Sequence, residues 1–211
     1  LSGMFPPEFL TEEILCLSDK DNYSVAHVLA SRNCLPAEKI THKILSLETN
    51  CDFDFINGRS VAAILIEKGF FPQELIPKFL LERYKIAEGV YLPLIHMLLC
   101  KGVCPSLSLL TPEVLKTKDA KNHTVMDILI ENRMLSLDIM KLPFDEENPT
   151  VFDYVLTCLE RLSEKLYLNS YEDKTKRYLE KSVYHYLQVN AFEQMSKSEQ
   201  KRNENMETME R

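Results

Sequence analysis

The sequence predicts an all-α fold, a helical solenoid of about four to five repeated units joined by short turns, with a C-terminal capping helix. Three observations support this prediction. A short motif built on a Ser/Thr-Val pair recurs along the chain, turn-forming residues precede it at fixed offsets, and apolar residues follow it with helical spacing. In such a stack, each unit covers the apolar face that its neighbour leaves open.

The recurring motif reads "SVAHVLA" at 24, "SVAAILI" at 60, "PLIHMLL" at 93, "TVMDILI" at 124 and "TVFDYVL" at 150. Successive motifs therefore start 36, 33, 31 and 26 residues apart. A period near this length is typical of repeats made of two short helices and their turns.

Polar and flexible residues stand at constant offsets before the motif. Five residues before it, three repeats carry an aspartate: Asp19, Asp119 and Asp145. Two residues before it, four repeats carry a residue that tolerates a left-handed backbone: Asn22, Gly58, Asn122 and Asn148. These residues predict a tight turn at the same point in each of those repeats.

The motif itself predicts the start of a short helix. Its first residue is a good N-cap in four repeats, namely Ser24, Ser60, Thr124 and Thr150. Asp127 and Asp153 would complete capping boxes three residues later. The residues nine positions after the motif begins are Asn33, Gly69, Gly102 and Arg133, and the first three suit a helix C-cap. A longer second helix is predicted to open at Pro36, Pro72, Pro105 or Ser136.

Residues 5–165 resemble a degenerate array of ankyrin repeats, whose pattern is Asp-x-x-Gly-x-Thr-Pro-Leu-His, a short helix ending in Gly, and a second helix. Repeat one, "DKDNYSVAH" at 19–27, keeps the Asp, the turn residue, the hydroxyl and the His. Repeats four and five keep Asp, Asn and Thr, whereas repeat three, "PLIH" at 93–96, matches least. The repeats fall near 5–22 (partial), 19–54, 55–87, 88–118, 119–144 and 145–165.

The array is expected to occupy residues 1–165, followed by a helical cap at 166–195 and a charged, disordered tail at 196–211. The segment "LTEEILCLSDKDN" at 10–22 parallels "LTPEVLKTKDAKN" at 110–122. The chain is therefore expected to begin inside the second helix of an atypical first repeat. The cap is predicted as one helix from about Glu172, with a buried stripe at Tyr178, Leu179, Val183, Tyr186 and Leu187.

Charge and composition disfavour several classes of function. A net charge of -7 leaves no broad positive footprint for nucleic acid or anionic lipid. The apolar run at 90–100 is too short to span a bilayer, and the start of the chain carries no signal-peptide pattern. Six dispersed cysteines without a paired framework indicate a reducing compartment, so we predict a cytoplasmic location, either in the producing cell or, after secretion, in a host cell.

One cluster of side chains is a candidate for chemistry: His96, Cys100 and Cys104 stand at i, i+4 and i+8. Gly102 and Pro105 are expected to end the helix between them, and a fourth zinc ligand has no evident source. The sequence contains neither a nucleophile elbow nor a phosphate-binding Gly-rich loop. We therefore predict no metal site, no cofactor and no catalytic residue. The alternative, part of an enzyme or multidomain effector with a Cys/His/Asp site near the irregular third repeat, stays open.

The resemblance also implies where a partner would bind, at the turn tips before each cap and at the exposed ends of the first helices, on the concave face of the stack. The residues at those positions that we select are Tyr23, Arg32, Arg59, Lys68, Lys121, His123 and Asn132. Tyr and Arg are frequent interface anchors, so Tyr23, Arg32 and Arg59 rank first. His27 stands at the turn histidine of the family, whose implied role is structural.

These observations predict a non-enzymatic protein–protein interaction module that binds another protein, without nucleic-acid binding or membrane insertion. Degenerate arrays with few glycines and no tryptophan resemble those of secreted effectors of intracellular bacteria, which act on host cytosolic proteins. Eukaryotic cytosolic proteins share the architecture, as do scaffold parts of multidomain proteins, so these origins stay open.

Overall fold

The computed structural model describes residues 7–49, 58–165 and 169–209. Most of these residues are helical, and a small two-stranded sheet is present. The chain divides into two compact units, Leu1–Asn132 (the N-terminal unit) and Arg133–Arg211 (the C-terminal unit). The sequence places its first domain boundary at 165, whereas this division falls within the predicted fourth repeat.

The N-terminal unit contains eight short α-helices and one hairpin among its described residues. In chain order they are α1 (Glu12–Cys16), α2 (Val25–Ser31), α3 (His42–Leu45), α4 (Val61–Glu67), α5 (Ile76–Phe79), β1 (Arg83–Ala87), β2 (Val90–Pro93), α6 (Leu94–Cys100), α7 (Pro112–Leu115) and α8 (Val125–Glu131). The C-terminal unit contains α9 (Leu137–Met140), α10 (Val151–Ser163) and α11 (Ser170–Met209).

The first helix of each repeat starts where the sequence predicts. Its N-cap hydroxyl accepts a backbone N–H three residues on in four repeats, at Ser24, Ser60, Thr124 and Thr150. The capping boxes predicted with Asp127 and Asp153 are present. His27 completes a third box with its imidazole, since Nδ1 accepts the Ser24 backbone N–H at 3.1 Å.

Six of the seven predicted turn residues have left-handed backbone conformations, and Arg133, which was not predicted to, has one as well. Before the caps, φ is 57° at Asn22, 66° at Gly58 and 65° at Asn122. After the first helices, Asn33, Gly69, Gly102 and Arg133 all have positive φ. Asn148 does not, and it precedes Pro149, which restricts its neighbour to an extended backbone.

The second helices are shorter than predicted. In repeats one and three, a 3-10 turn (Ala37–Lys39 or Leu107–Leu109) comes first, and a separate four-residue helix follows. Thr41 and Thr111 cause the break, because each hydroxyl accepts the backbone N–H of the third residue after it and so caps a new helix. A helix cannot run through a residue whose backbone is extended, as it is at both threonines.

The hairpin corrects the expectation of an all-α fold. In the other repeats a single antiparallel bridge precedes the first helix, as between Ser18 and Ser24 or between Lys118 and Thr124. In repeat three this bridge is extended into β1 and β2, with Arg83 opposite Pro93. The segment has the alternating apolar and β-branched residues of a hairpin, and Gly89 takes φ of 68° at its tip.

Consecutive repeats of the N-terminal unit are joined through buried polar groups as well as apolar ones. His27 and His96 are fully buried at the same position of their first helices. The Nε2 atom of His96 donates to the carbonyl oxygen of His123, in the next repeat, at 3.1 Å. The Nε2 atom of His27 faces the carbonyl oxygens of Arg59 and Leu47 without reaching hydrogen-bond geometry. The predicted structural role of His27 agrees with this placement.

In the C-terminal unit, α10 packs along α11. The rings of Phe152 and Tyr186 stack with centroids 4.4 Å apart, and Leu179 is buried. Leu187, predicted to be buried, is 52% exposed. The α11 helix starts at Ser170 because Asn169 caps it, and it extends to Met209 through the segment predicted as a disordered tail. That segment lacks Gly and Pro and is rich in helix formers, so nothing in its sequence ends the helix.

Candidate partner-binding surface

The seven residues selected from the sequence occupy two kinds of position. Tyr23, Arg59, Lys121 and His123 lie in the turns before the N-caps, and Arg32, Lys68 and Asn132 are the C-cap residues of α2, α4 and α8. Five of them are exposed, whereas Tyr23 and Arg59 are only partly exposed. Because the caps recur with the repeat, these positions recur at the two ends of each first helix.

A carboxylate fixes the turn tips of repeats one and four in the same way. The Oδ1 atom of Asp119 accepts the backbone N–H of Lys121 at 2.7 Å and that of His123 at 2.9 Å. The Oδ1 atom of Asp19 accepts the corresponding groups of Asp21 and Tyr23 at 3.0 and 2.9 Å. The backbone of each turn is therefore fixed by a carboxylate. In repeat four the side chains of Lys121 and His123 are exposed, whereas in repeat one those of Asp21 and Tyr23 are partly exposed.

Two of the three residues ranked first are engaged inside the protein. The ring of Tyr23 stacks on His27 with centroids 5.4 Å apart. The guanidinium of Arg59 pairs with the carboxylate of Glu67, and its side chain is only 28% exposed. Arg32 is exposed and remains available to a partner. Tyr23 therefore contributes to packing as well as to the surface, and Arg59 would need a partner carboxylate to compete with Glu67.

The remaining positions differ in how far their side chains are held. Lys68 and Lys121 are exposed, and no ion pair involves either within the described residues. His123 lies 3.8 Å from Asp119 through its Nδ1 atom. The Asn132 side chain donates to the carbonyl oxygen of Leu99 at 3.3 Å, so it ties the end of α8 to α6.

A small groove of about 210 Å³ lies beside Arg59, between α4, the hairpin and α6. Its walls are apolar, from Ala63, Ile66, Ile86, Leu92 and Met97. Arg59, Glu67 and Lys101 form its rim, together with Cys100. The sequence interpretation missed the hairpin side of this groove, although the alternating residues at 83–93 were a signal for it.

The structure places His96 and Cys100, two residues of the candidate cluster, in α6, and Cys104 after the end of this helix. His96 is buried, its Nε2 atom bonds the carbonyl of His123, and burial lowers its pKa. Cys100 and Cys104 reach the surface, but neighbouring protein atoms desolvate their thiols and raise their pKa, which disfavours the thiolate. Over residues 7–49, 58–165 and 169–209, no group of three His, Cys, Asp or Glu residues is arranged to hold a metal ion.

The described part of the chain also contains no helix with the length and hydropathy needed to cross a bilayer. No family model, no curated protein and no solved structure matches this chain.

Proposed function

We propose that this chain is a degenerate ankyrin-like array that binds another protein through its turn tips and the ends of its first helices. The observation that carries the proposal is the repeated turn at residues 19–24 and 119–124. In both, an aspartate fixes the backbone, a residue with positive φ completes the turn, and a hydroxyl caps the next helix. A backbone fixed in this way presents its side chains with little loss of entropy on binding.

The distribution of burial supports the same proposal. The first helices α4, α6 and α8 bury nearly all of their residues, so little of these helices remains for an external partner. The exposed polar residues at their ends, such as Lys68, Lys101 and Lys121, are the groups that a partner would meet first. Binding by a rigid, extended surface is the usual function of repeat arrays.

A catalytic function near repeat three has less support. A thiol nucleophile needs a lowered pKa, whereas that of Cys100 is raised. His96 has its Nε2 atom occupied and lies out of contact with solvent. A histidine in this state has no access to a substrate.

Site-specific photo-crosslinking tests the proposed surface. A photoreactive amino acid would replace Lys68 or Lys121 at the predicted surface, and Glu113 or Lys78 on the second helices as matched exposed controls. The variants would be expressed in eukaryotic cells, since a cytosolic protein is the expected partner. We expect the same crosslinked protein from both surface positions and none from the controls. Equal crosslinking at all four positions would refute the surface, and crosslinking at the controls alone would move it to the second helices.

A further inference from the structure

The C-terminal unit contains an open cleft of about 880 Å³ between the segment 133–140 and one face of α11. Three cationic side chains of α11 line it, those of Lys174, Arg177 and Lys181, and His185 lies on the same face of the helix. Their steps of three, four and four residues place them along one face of the helix. Arg133 adds a further cation from the opposite wall, against a single lining carboxylate, Asp138.

These cations are available to a ligand. Lys174 and Lys181 are exposed, and neither forms an ion pair within the described residues. Arg177 pairs with Asp173 at 2.9 Å, but its side chain is 76% exposed, so this pair contributes little and is easily exchanged. The whole chain has 32 acidic against 25 basic residues, so the positive cleft does not simply reflect composition.

Arg133 occupies a backbone position that disfavours it. Its φ is 57°, and the equivalent positions of earlier repeats hold Asn33, Gly69 and Gly102. Asn and Gly adopt this conformation at lower cost than arginine. Arg133 thus keeps a cation at the cleft although its backbone conformation costs folding free energy. This observation is independent of the basic face of α11.

The walls of the cleft add apolar surface to this charge, from Leu135, Leu137, Met140 and Tyr178. The hydroxyl groups are already used: Ser136 caps α9, and Ser182 donates to the carbonyl of Tyr178 at 2.9 Å. The Tyr178 hydroxyl accepts the backbone N–H of Leu135 at 3.0 Å. The cleft thus offers cations and apolar contacts rather than a hydroxyl nucleophile.

We propose that this cleft binds an acidic segment of a partner protein that also carries apolar side chains. From Lys174 to His185, α11 rises by about 16 Å, which matches an extended segment of about five residues. Carboxylates of the segment pair with Lys174, Lys181 and Arg133, and apolar side chains contact the walls. A phosphate-rich polymer would leave those walls unused, and the net charge of -7 repels it over any longer contact.

Selection from a random library of seven-residue peptides displayed on phage, with the full chain immobilised, tests this proposal. We expect the selected sequences to combine two or more Asp or Glu residues with apolar ones. A selected peptide should bind Lys181→Glu about tenfold or more weakly. Lys176→Glu, a charge reversal at a half-buried position of α11 outside the cleft lining, should keep its affinity for the peptide. Fluorescence anisotropy of the labelled peptide measures both.

A third variant separates binding from folding. Asn adopts the backbone conformation of residue 133 at lower cost than Arg. Arg133→Asn should therefore raise the melting temperature of the protein and yet weaken its binding of the peptide. Selection of neutral or basic peptides, no enrichment, or equal loss of binding in Lys176→Glu would overturn the proposal. Pyrophosphate or a fifteen-residue oligothymidine that competes with the peptide and binds more tightly would overturn it in favour of a phosphate site.

Discussion

Gly58 occupies the turn of repeat two that packs against the hairpin, and its replacement by alanine should destabilise the protein more than the same change at Gly69. Both glycines have positive φ, 66° and 74°. An alanine in this region costs about 1 kcal/mol of unfolding free energy in backbone strain. At Gly69 nothing lies within 4 Å of the added Cβ, so this strain is the whole expected cost.

At Gly58 the added Cβ also meets its neighbours. It would stand 3.2 Å from the backbone nitrogen of Glu88 and 3.3 Å from the Cε atom of Lys85. Neither can retreat freely, because the first is backbone and the second leads to an ammonium held by Glu48 at 3.0 Å. Forcing them apart adds about 1–2 kcal/mol. Gly58→Ala should therefore cost about 2–3 kcal/mol in total.

Urea unfolding followed by circular dichroism at constant protein concentration measures the difference. The midpoint should fall for both variants, and further for Gly58→Ala than for Gly69→Ala by an amount equivalent to at least about 1 kcal/mol. Equal midpoints would show that the turn of repeat two does not pack closely against the hairpin, and the additional cost expected at Gly58 would be refuted.

Three further predictions follow from the turns, the buried imidazoles and the thiols. Asp119→Ala should cost about 1–2 kcal/mol and speed hydrogen exchange of the Lys121 and His123 amides, since both lose their acceptor, whereas Asp138→Ala should leave those rates unchanged. Burial lowers the pKa of His27 and His96, so the unfolded state binds protons more readily than the folded state. The free energy of unfolding should therefore decline as the pH falls from about 7 to 5, and His27→Gln should reduce that decline. If the variant and the parent lose stability equally, His27 is not a source of the pH dependence. Cys100 and Cys104 should react with iodoacetamide more slowly than a free thiol at neutral pH, because their raised pKa limits the thiolate. Mass spectrometry of the alkylated peptides measures the rates, and labelling as fast as that of a free thiol would contradict this prediction.

Local features of the fold could be predicted wherever one residue dictates the backbone. Ser24 and Thr124 as caps, and Asn22 and Asn122 as left-handed turn residues, depend on chemistry within a few residues, and the sequence displays that chemistry. Thr41 is an equally good N-cap, and its cap splits the second helix. The apolar residues around it have helical spacing, however, and so predict one continuous helix.

The site was less predictable because it depends on contacts between distant residues. Tyr23 and Arg59 rank as interface anchors by residue type alone. In the structure Tyr23 stacks on His27 and Arg59 pairs with Glu67, so neither side chain is fully available to a partner. The basic cleft joins Arg133 to Lys181, 48 positions along the chain, and the overall charge of -7 hides it from a compositional argument.

The connections that precede the first helices differ in length from repeat to repeat. The paired residues around them are six positions apart at Ser18 and Ser24, ten at Arg83 and Pro93, and twelve at Glu48 and Ser60. The hairpin tip at Glu88 and Gly89 is exposed, and an added Cβ at Gly89 meets nothing within 4 Å. A fluorescent reporter can therefore be inserted at this tip. Binding of a partner near α4 or α6 would then change the emission of the reporter, so the partner itself would need no label.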